Sequence, residues 1–535
     1  MNVQPPILSP ALARALVVFV IGLVILVVGA ALALGWTLRR RRVDEDAVRR
    51  VFRNSAIPLV LQIGLRAIDM AFAAVLYRVL LPTEQGEYDL ATLVVGLVLT
   101  TVVDWGLTVW LTREVARDPT ATTRLFGTTL VVRWALSLAV FPLLALSWLL
   151  FNGLSGGQGA ALTPLGIQLI ALFAVTLLPT AVASAATAVF LAHEEPTTPM
   201  LANVLNNGLS TLLRIGVLVA GWGVLGVAWG AVAATVINAG VFAWLLWRRW
   251  GWPGLGWDAK LARTMLGAGF PLMLNALLVA VFFRFDTLIV RAAQGPVAVA
   301  NYGAAYRWAQ LALVLPPMVV NAVFPRFARQ ALDDRAGLRR GYRQTVRVLL
   351  LLALPLSALL TVFAPTVIGA LSGQQYVAAG APALAWLIWF VPWSYVNGVG
   401  QYVLIALNRQ ATITWAFAGT ALFNLAANLV AVPRWGINAA AAITVLSEVV
   451  LCVPFVWMLR RELGNLQLWA LAWRPALAAL AMLAAMWPLR AWLVPAALLG
   501  MAVYSGALWL LRTFTIDDQR LLGRVLGRQA GTDKA

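Results

Sequence analysis

The chain has one cysteine, Cys452, and one histidine, His193, among 535 residues. A lone cysteine excludes a disulfide framework and a thiolate metal site. A lone histidine beside Glu194 and Glu195 reads as a solvated side chain in a connecting segment, not a general base. Charge is scarce too, with Asp, Glu, Lys and Arg making up 11% of the residues. Long polar stretches are missing, so no connection can fold into a soluble domain. The longest segment expected on the outer face, 151–164, has no charged residue at all.

What fills the chain is apolar. Hydrophobic residues make up 61% and the mean hydropathy is +0.84. Runs long enough to cross the roughly 30 Å of a bilayer's hydrocarbon, about 20 helical residues each, recur from end to end. The expected spans are 11–38, 54–79, 88–112, 125–150, 165–191, 200–220, 225–247, 264–290, 300–325, 348–370, 380–406, 411–431, 436–459, 466–488 and 491–511. This is an all-α polytopic membrane protein, because no soluble fold could hide so much apolar surface.

The net charge of +19 and pI near 11.3 would suggest nucleic acid in a soluble protein. Here the basic residues follow the loops instead. Thirty of the forty Lys and Arg fall in alternate segments, chiefly 39–53, 248–263, 326–347 and the tail. Five lie on the opposite side (Arg14, Arg78, Arg291, Arg434 and Arg490) and five inside spans. That asymmetry predicts a cell-membrane (inner or cytoplasmic membrane) protein with an outer N-terminus and a cytoplasmic C-terminus, contacting anionic lipid and not nucleic acid. The basic segments 39–53, 326–347 and 512–535 read as helices along the membrane surface. Residues 11–38 read as an extra span. A cleaved signal peptide, suggested by Ala31-Leu32-Ala33, is disfavoured by the run's length, its lack of a basic leader and the Arg39–Arg42 cluster that follows.

An internal repeat organises the rest. Ile57-Pro58-Leu59 opens one span and Phe270-Pro271-Leu272 another, 213 residues later; Tyr88-x-x-Ala91 answers Tyr302-x-x-Ala305 after 214. Each unit holds six spans, so both copies keep the same orientation, an arrangement found in transporters with the substrate path between two bundles. The expected divisions are 1–50 (extra helix and basic segment), 51–250 (N-lobe), 251–263 (linker), 264–461 (C-lobe), 462–512 (appended helix pair) and 513–535 (basic tail).

Ionisable groups inside spans are costly and mark pathways or partners. Five arginines qualify: Arg66, Arg133, Arg214, Arg284 and Arg307. Arg133 and Arg307 lie near span ends, where snorkelling competes with a cavity role; Arg66, Arg214 and Arg284 are deeper and read as cavity-facing. Against them stand Asp69, Asp104, Asp286 and Glu448, an excess of one cation. Arg66 and Asp69, three apart, share a helical face and can pair locally. Asn275, Tyr302 and Tyr306 add polar groups. The candidate substrate-binding set is therefore Arg66, Arg133, Arg214, Arg284, Arg307, Asn275, Tyr302 and Tyr306. Asp69 and Asp286 are candidates for coupling to a proton or sodium ion, and no other cofactor is expected.

From residue 51 onward the sequence resembles polysaccharide-type flippases of the multidrug/oligosaccharidyl-lipid/polysaccharide exporter superfamily, the Wzx- and MurJ-like group. The resemblance rests on Asn54-Ser55, Arg78-x-Leu80-x-Pro82, Gln85-Gly86-Glu87-Tyr88-x-x-Ala91, Asp104-Trp105-Gly106-Leu107 with Arg113-Glu114-x-Ala116, Gly269-Phe270-Pro271-Leu272, Phe285-Asp286, Tyr302-x-x-Ala305 and Phe324-Pro325. It implies two six-helix lobes in a V, alternating access, and a polyprenyl-diphosphate-linked oligosaccharide as cargo, with Arg66 matching a diphosphate-binding position. It also implies a monomer that can associate with glycan polymerase machinery. A multidrug cation antiporter is the alternative within the superfamily. A membrane glycan polymerase or ligase would need the large outer loop that this sequence lacks, and a non-transporting scaffold would need a cavity sealed from water.

Overall fold

The structure, a computed structural model, describes residues 20–22, 24, 64–154, 162–251 and 256–513. No strand occurs among them. Eleven described helices are long and apolar enough to cross a membrane, so the chain is an all-α, multi-pass membrane protein. Most of the first expected span, the start of the second and the tail beyond 513 lie outside the described residues.

Two stretches, Ala259–Ala312 and Gln410–Leu463, are each a pair of helices meeting at a glycine kink. Ala259–Ala312 turns at Gly295 (φ 80°, ψ −174°) and Gln410–Leu463 turns at Gly436 (φ 68°, ψ −152°). Both glycines adopt the positive φ that costs other residues a Cβ clash; Gly295 falls between the spans 264–290 and 300–325, and Gly436 is the first residue of the span 436–459. The basic segment 326–347 does not form a separate surface helix. It continues Leu315–Asp333 and Arg335–Val362, which meet at Asp334 (φ −131°), whose carboxylate caps the second helix at the Gly337 N–H. Helical hydrogen bonding simply runs past the apolar stretch into the basic one.

The helix Thr197–Val219 is the exception among the membrane helices. Its 23 residues would reach about 35 Å at 1.5 Å per residue, yet it is not among the eleven apolar enough. Asn203, Asn206, Asn207, Ser210 and Arg214 interrupt it.

The chain divides into two compact units. The first comprises Met1–Arg307, Ile368–Gly380 and Phe417–Ile443; the second comprises Trp308–Val367, Ala381–Ala416 and Thr444–Ala535. Within the first, one buried core joins Ile68, Phe72, Leu76, Leu169 and Val227, and takes in Val20 and Val24 from the first apolar run. A second core gathers Leu107, Trp110, Phe126, Phe190 and Phe242. In the second unit the appended helices Leu468–Met486 and Leu493–Leu510 pack together so closely that a Cβ on Gly500 would meet Met486 Sδ at 2.2 Å. Tyr504 donates to the Leu351 carbonyl at 3.1 Å, tying the pair to Arg335–Val362.

Candidate functional site

The span Pro82–Arg117 has an irregular backbone. It begins as an α-helix (Pro82–Leu93), widens to a π-helix (Val94–Leu99), returns to α (Thr100–Asp104), and breaks at Trp105 (φ 49°) and Gly106 (φ 72°) before Leu107–Arg117. Tryptophan in the left-handed region is strained and needs outside support. Support comes from packing: Trp105 Nε1 donates to the Leu266 carbonyl at 2.9 Å, and Gly269 lets the Trp105 carbonyl approach to within 2.3 Å of where a Cβ would sit. The hydroxyls of Thr100 and Thr101 donate to the Val95 and Leu97 carbonyls.

Broken helices at membrane depth are tolerated where they line a cavity, and a cavity of about 400 Å³ lies here. Asp104, Gly106, Arg133, Thr180, Ser184 and Asn275 are among its lining residues. Arg133 Nη2 donates to Asp104 Oδ1 at 2.5 Å and to Thr108 Oγ1 at 2.7 Å, and its side chain is only 1% exposed. Of the two roles left open for Arg133, snorkelling does not fit a side chain buried and paired in this way. A buried guanidinium holds its charge by pairing where it stands.

Arg307 is likewise paired, with Asp89. Asp89 accepts from Tyr77 (2.5 Å), Gln85 Nε2 (3.0 Å) and Arg307 Nη2 (3.2 Å), and Arg307 also lies over the Tyr77 ring. Beside it, Arg291 Nη2 donates to Glu87 Oε1 at 2.6 Å; both side chains are at most 5% exposed. Thr163 donates to the same carboxylate oxygen. Gly86 and Gly303 permit this packing, since a Cβ on Gly86 would stand 1.8 Å from the Pro296 carbonyl oxygen and one on Gly303 2.6 Å from Asp89 Oδ2. Gln375 Nε2 reaches the Tyr77 carbonyl, Tyr376 meets the Tyr77 ring edge-on, and Arg78 donates to the Ala370 carbonyl. Arg291 thus leaves the exposed loop position expected of it.

Glu87, Asp89 and Arg291 correct the charge count. With them the span-depth set holds six arginines and six carboxylates, so the excess of one cation disappears. What separates the arginines is pairing, not number. Arg133, Arg291 and Arg307 are ion-paired, whereas Arg66, Arg214 and Arg284 have no carboxylate in ion-pair contact among the described residues.

The unpaired three sit differently. Arg66 is exposed and forms no direct pair with Asp69, which instead accepts from Asn207 Nδ2 at 3.5 Å and feels Arg66, Arg214 and Arg307 at longer range. Arg214 lies 4.3 Å over the Phe72 ring and donates to Tyr88 Oη at 3.4 Å. Arg284 lies 4.3 Å over the Tyr306 ring, whose hydroxyl donates to the Phe283 carbonyl. Such stacking leaves the N–H edge of Arg284 open to an anion, while Arg214 Nε donates to the Ser210 carbonyl at 3.1 Å and keeps only its remaining N–H groups for one. Asp286 accepts from the Thr287 N–H and from Tyr302, so Arg284 and Asp286 serve different partners. Glu448, in the second unit, accepts from Asn397 Nδ2 at 2.7 Å.

The candidate residues thus fall into four places: the cavity (Arg133, Asn275), the Asp69 neighbourhood (Arg66, Arg214), the edge-to-face pair Tyr302 and Tyr306 with Arg284 and Asp286, and the Asp89 cluster (Arg307). Sequence reasoning missed Tyr77, Glu87, Asp89 and Arg291, and the hydroxyls of Thr100, Thr101, Thr180 and Ser184. A signal was available for Asp89, which lies inside an expected span. Partners 204 residues apart, as Glu87 and Arg291 are, leave no local pattern.

The family described as "Polysaccharide biosynthesis protein" matches residues 75–381, more than half of the chain, including the cavity and the Asp89 cluster. An uncharacterized membrane protein of Methanocaldococcus jannaschii is 28% identical over 116 residues, 22% of this chain and 23% of that protein, so the chain spans about a quarter of that relative's length. Among solved structures, a lipid II flippase MurJ in an inward closed conformation is similar over 86% of this chain and 100% of its own, with TM-score 0.60 and 13% identity. An inward-facing multidrug resistance MATE family transporter of the MOP superfamily is similar over 74% of this chain and 91% of its own, with TM-score 0.59 and 18% identity. At such identities the likeness is one of fold.

Proposed function

We propose a function from one premise: the chain belongs to the polysaccharide biosynthesis protein family. Its role is to flip a polyprenyl-diphosphate-linked saccharide from the cytoplasmic to the outer leaflet by alternating access. The observation that carries this reading is the set of three span arginines without carboxylate partners, Arg66, Arg214 and Arg284. Guanidinium keeps its charge when desolvated and binds phosphate oxygens bidentately, so unpaired arginines suit a diphosphate.

The need is physical. A sugar diphosphate entering hydrocarbon would lose the water around its polar groups at a prohibitive cost. Arginines and a polar cavity replace that water, while the prenyl chain stays in lipid. Prolines within spans, such as Pro142 and Pro355, supply the bends a moving helix needs. Asp69 and Asp286 are the proposed sites for proton or sodium coupling.

A multidrug cation antiporter would need carboxylates free to meet its cargo. Three of the six here, Glu87, Asp89 and Asp104, are already neutralised by arginine. The test is accumulation of lipid-linked oligosaccharide on the cytoplasmic face in cells lacking this protein, complemented with wild type or Arg66→Ala. The flippase reading expects accumulation that wild type relieves and Arg66→Ala does not. Normal surface glycan without accumulation would overturn it and favour the antiporter.

A further inference from the structure

A second cavity, of about 350 Å³, adjoins the first through Thr180 and Ser184. Its lining has no titratable group and no aromatic ring; apart from Ala183, every lining residue carries a hydroxyl or a carboxamide. The volume lies within the range of small-molecule sites, about 300–1,000 Å³. Four helices build it: Leu107–Arg117, Leu177–Ala192, Thr197–Val219 and Gly223–Trp250.

The hydrogen bonding of that lining is one-sided. Thr187 donates to the Ala183 carbonyl and Thr235 to the Val232 carbonyl, each at 2.8 Å. Those hydroxyl protons are committed to their own helices, which leaves the oxygen lone pairs to accept. Asn203, Asn206 and Asn238 have no hydrogen-bond partner from their side chains among the described residues. Asn206 Oδ1 is buried without a partner, and a buried amide oxygen left so is costly, so it belongs beside a polar occupant. Asn203 and Asn206, with Asn207, Ser210 and Arg214, keep Thr197–Val219 from counting among the apolar spans.

We infer that this second cavity is a saccharide subsite, taking sugar residues of the cargo whose diphosphate the arginines hold; the inference rests on the flippase reading above. A sugar ring presents hydroxyls that both donate and accept, matching threonine acceptors and bifunctional amides. The cavity has no carboxylate for a cation and no arginine for an anion, so a neutral, hydroxyl-rich ligand is the class it fits. It also lacks the aromatic platform that would hold a sugar by stacking. Weak, replaceable hydrogen bonds suit a cargo that must be released on the other face.

The test is binding by the full-length protein in lipid nanodiscs to undecaprenyl diphosphate alone, and to undecaprenyl diphosphates bearing N-acetylglucosamine, glucose or galactose. Wild type is expected to bind at least one sugar-bearing lipid about tenfold more tightly than the bare lipid. The Asn203→Ala/Asn206→Ala/Asn238→Ala variant is expected to lose that advantage while binding the bare lipid as wild type does, which also reports that it is folded. Equal affinity of wild type for all four lipids overturns the subsite and leaves the diphosphate reading standing. Equal loss on bare and sugar-bearing lipids in the variant overturns it as well, and binding to none of the lipids by wild type overturns both.

Discussion

Around Glu87 and Asp89 the protein fills its polar interior with its own side chains; between Thr187, Asn206 and Asn238 it leaves amides without partners. Both regions lie in the first unit and both are strongly polar. In the first, Arg291 and Arg307 answer the two carboxylates, and glycines bring backbone and side chains into close contact. In the second, no charge is present and a cavity remains. The difference separates two uses of polarity in a membrane protein. Paired charges tie distant segments together, whereas unpaired neutral groups and stacked arginines are left for something that comes and goes.

The comparison breaks most severely at the paired end. Arg291→Ala strands the Glu87 carboxylate in a buried site and should cost about 3–5 kcal/mol of stability, read by unfolding of the purified protein in detergent. Glu87→Gln combined with Arg291→Met should recover most of that loss; if the single and double variants melt alike, the pair is not a tie. Gly86→Ala should cost about 1–3 kcal/mol, because its new methyl group meets the Pro296 carbonyl.

At the open end the expectation reverses. Asn206→Ala or Asn238→Ala removes no intramolecular bond, so stability should stay within about 0.5 kcal/mol while transport falls. A large drop in melting temperature would show these amides to be structural. The smallest effect belongs to Asp258, outside the spans. The Leu261 N–H, then Arg124, hold its carboxyl below the usual carboxylate range. Its contribution is present at neutral pH and fades only as pH falls through that lowered pKa. Asp258→Asn should lower the melting temperature at pH 7 only slightly, and the difference from wild type should vanish once the pH falls below that lowered pKa.

Much of the fold was legible because spans are written in local sequence. Apolar run length and basic loops separate the membrane segments, and the turns at Gly295 and Gly436 fall where the runs are interrupted. The break at Trp105-Gly106 was present as a motif, yet nothing local told that a cavity lies beside it. The depth of Arg66, Arg214 and Arg284 distinguished them from Arg133 and Arg307, and the structure separates the same groups by pairing. What stayed hidden was who meets whom. Glu87 finds Arg291 and Asp89 finds Arg307 across more than 200 residues. Such contacts follow from packing, which no period of 3.6 residues records. The excess of one cation came from leaving Glu87, Asp89 and Arg291 out of the count, and their burial in ion pairs puts them back into it.

The most direct measurement is flipping itself. Proteoliposomes would hold the purified protein and undecaprenyl-diphospho-N-acetylglucosamine in both leaflets, with a membrane-impermeant galactosyltransferase outside. The account predicts that the inner pool becomes available to the enzyme when wild-type protein is present and stays protected with Arg66→Ala. An inner pool that remains protected beside folded wild-type protein would contradict it.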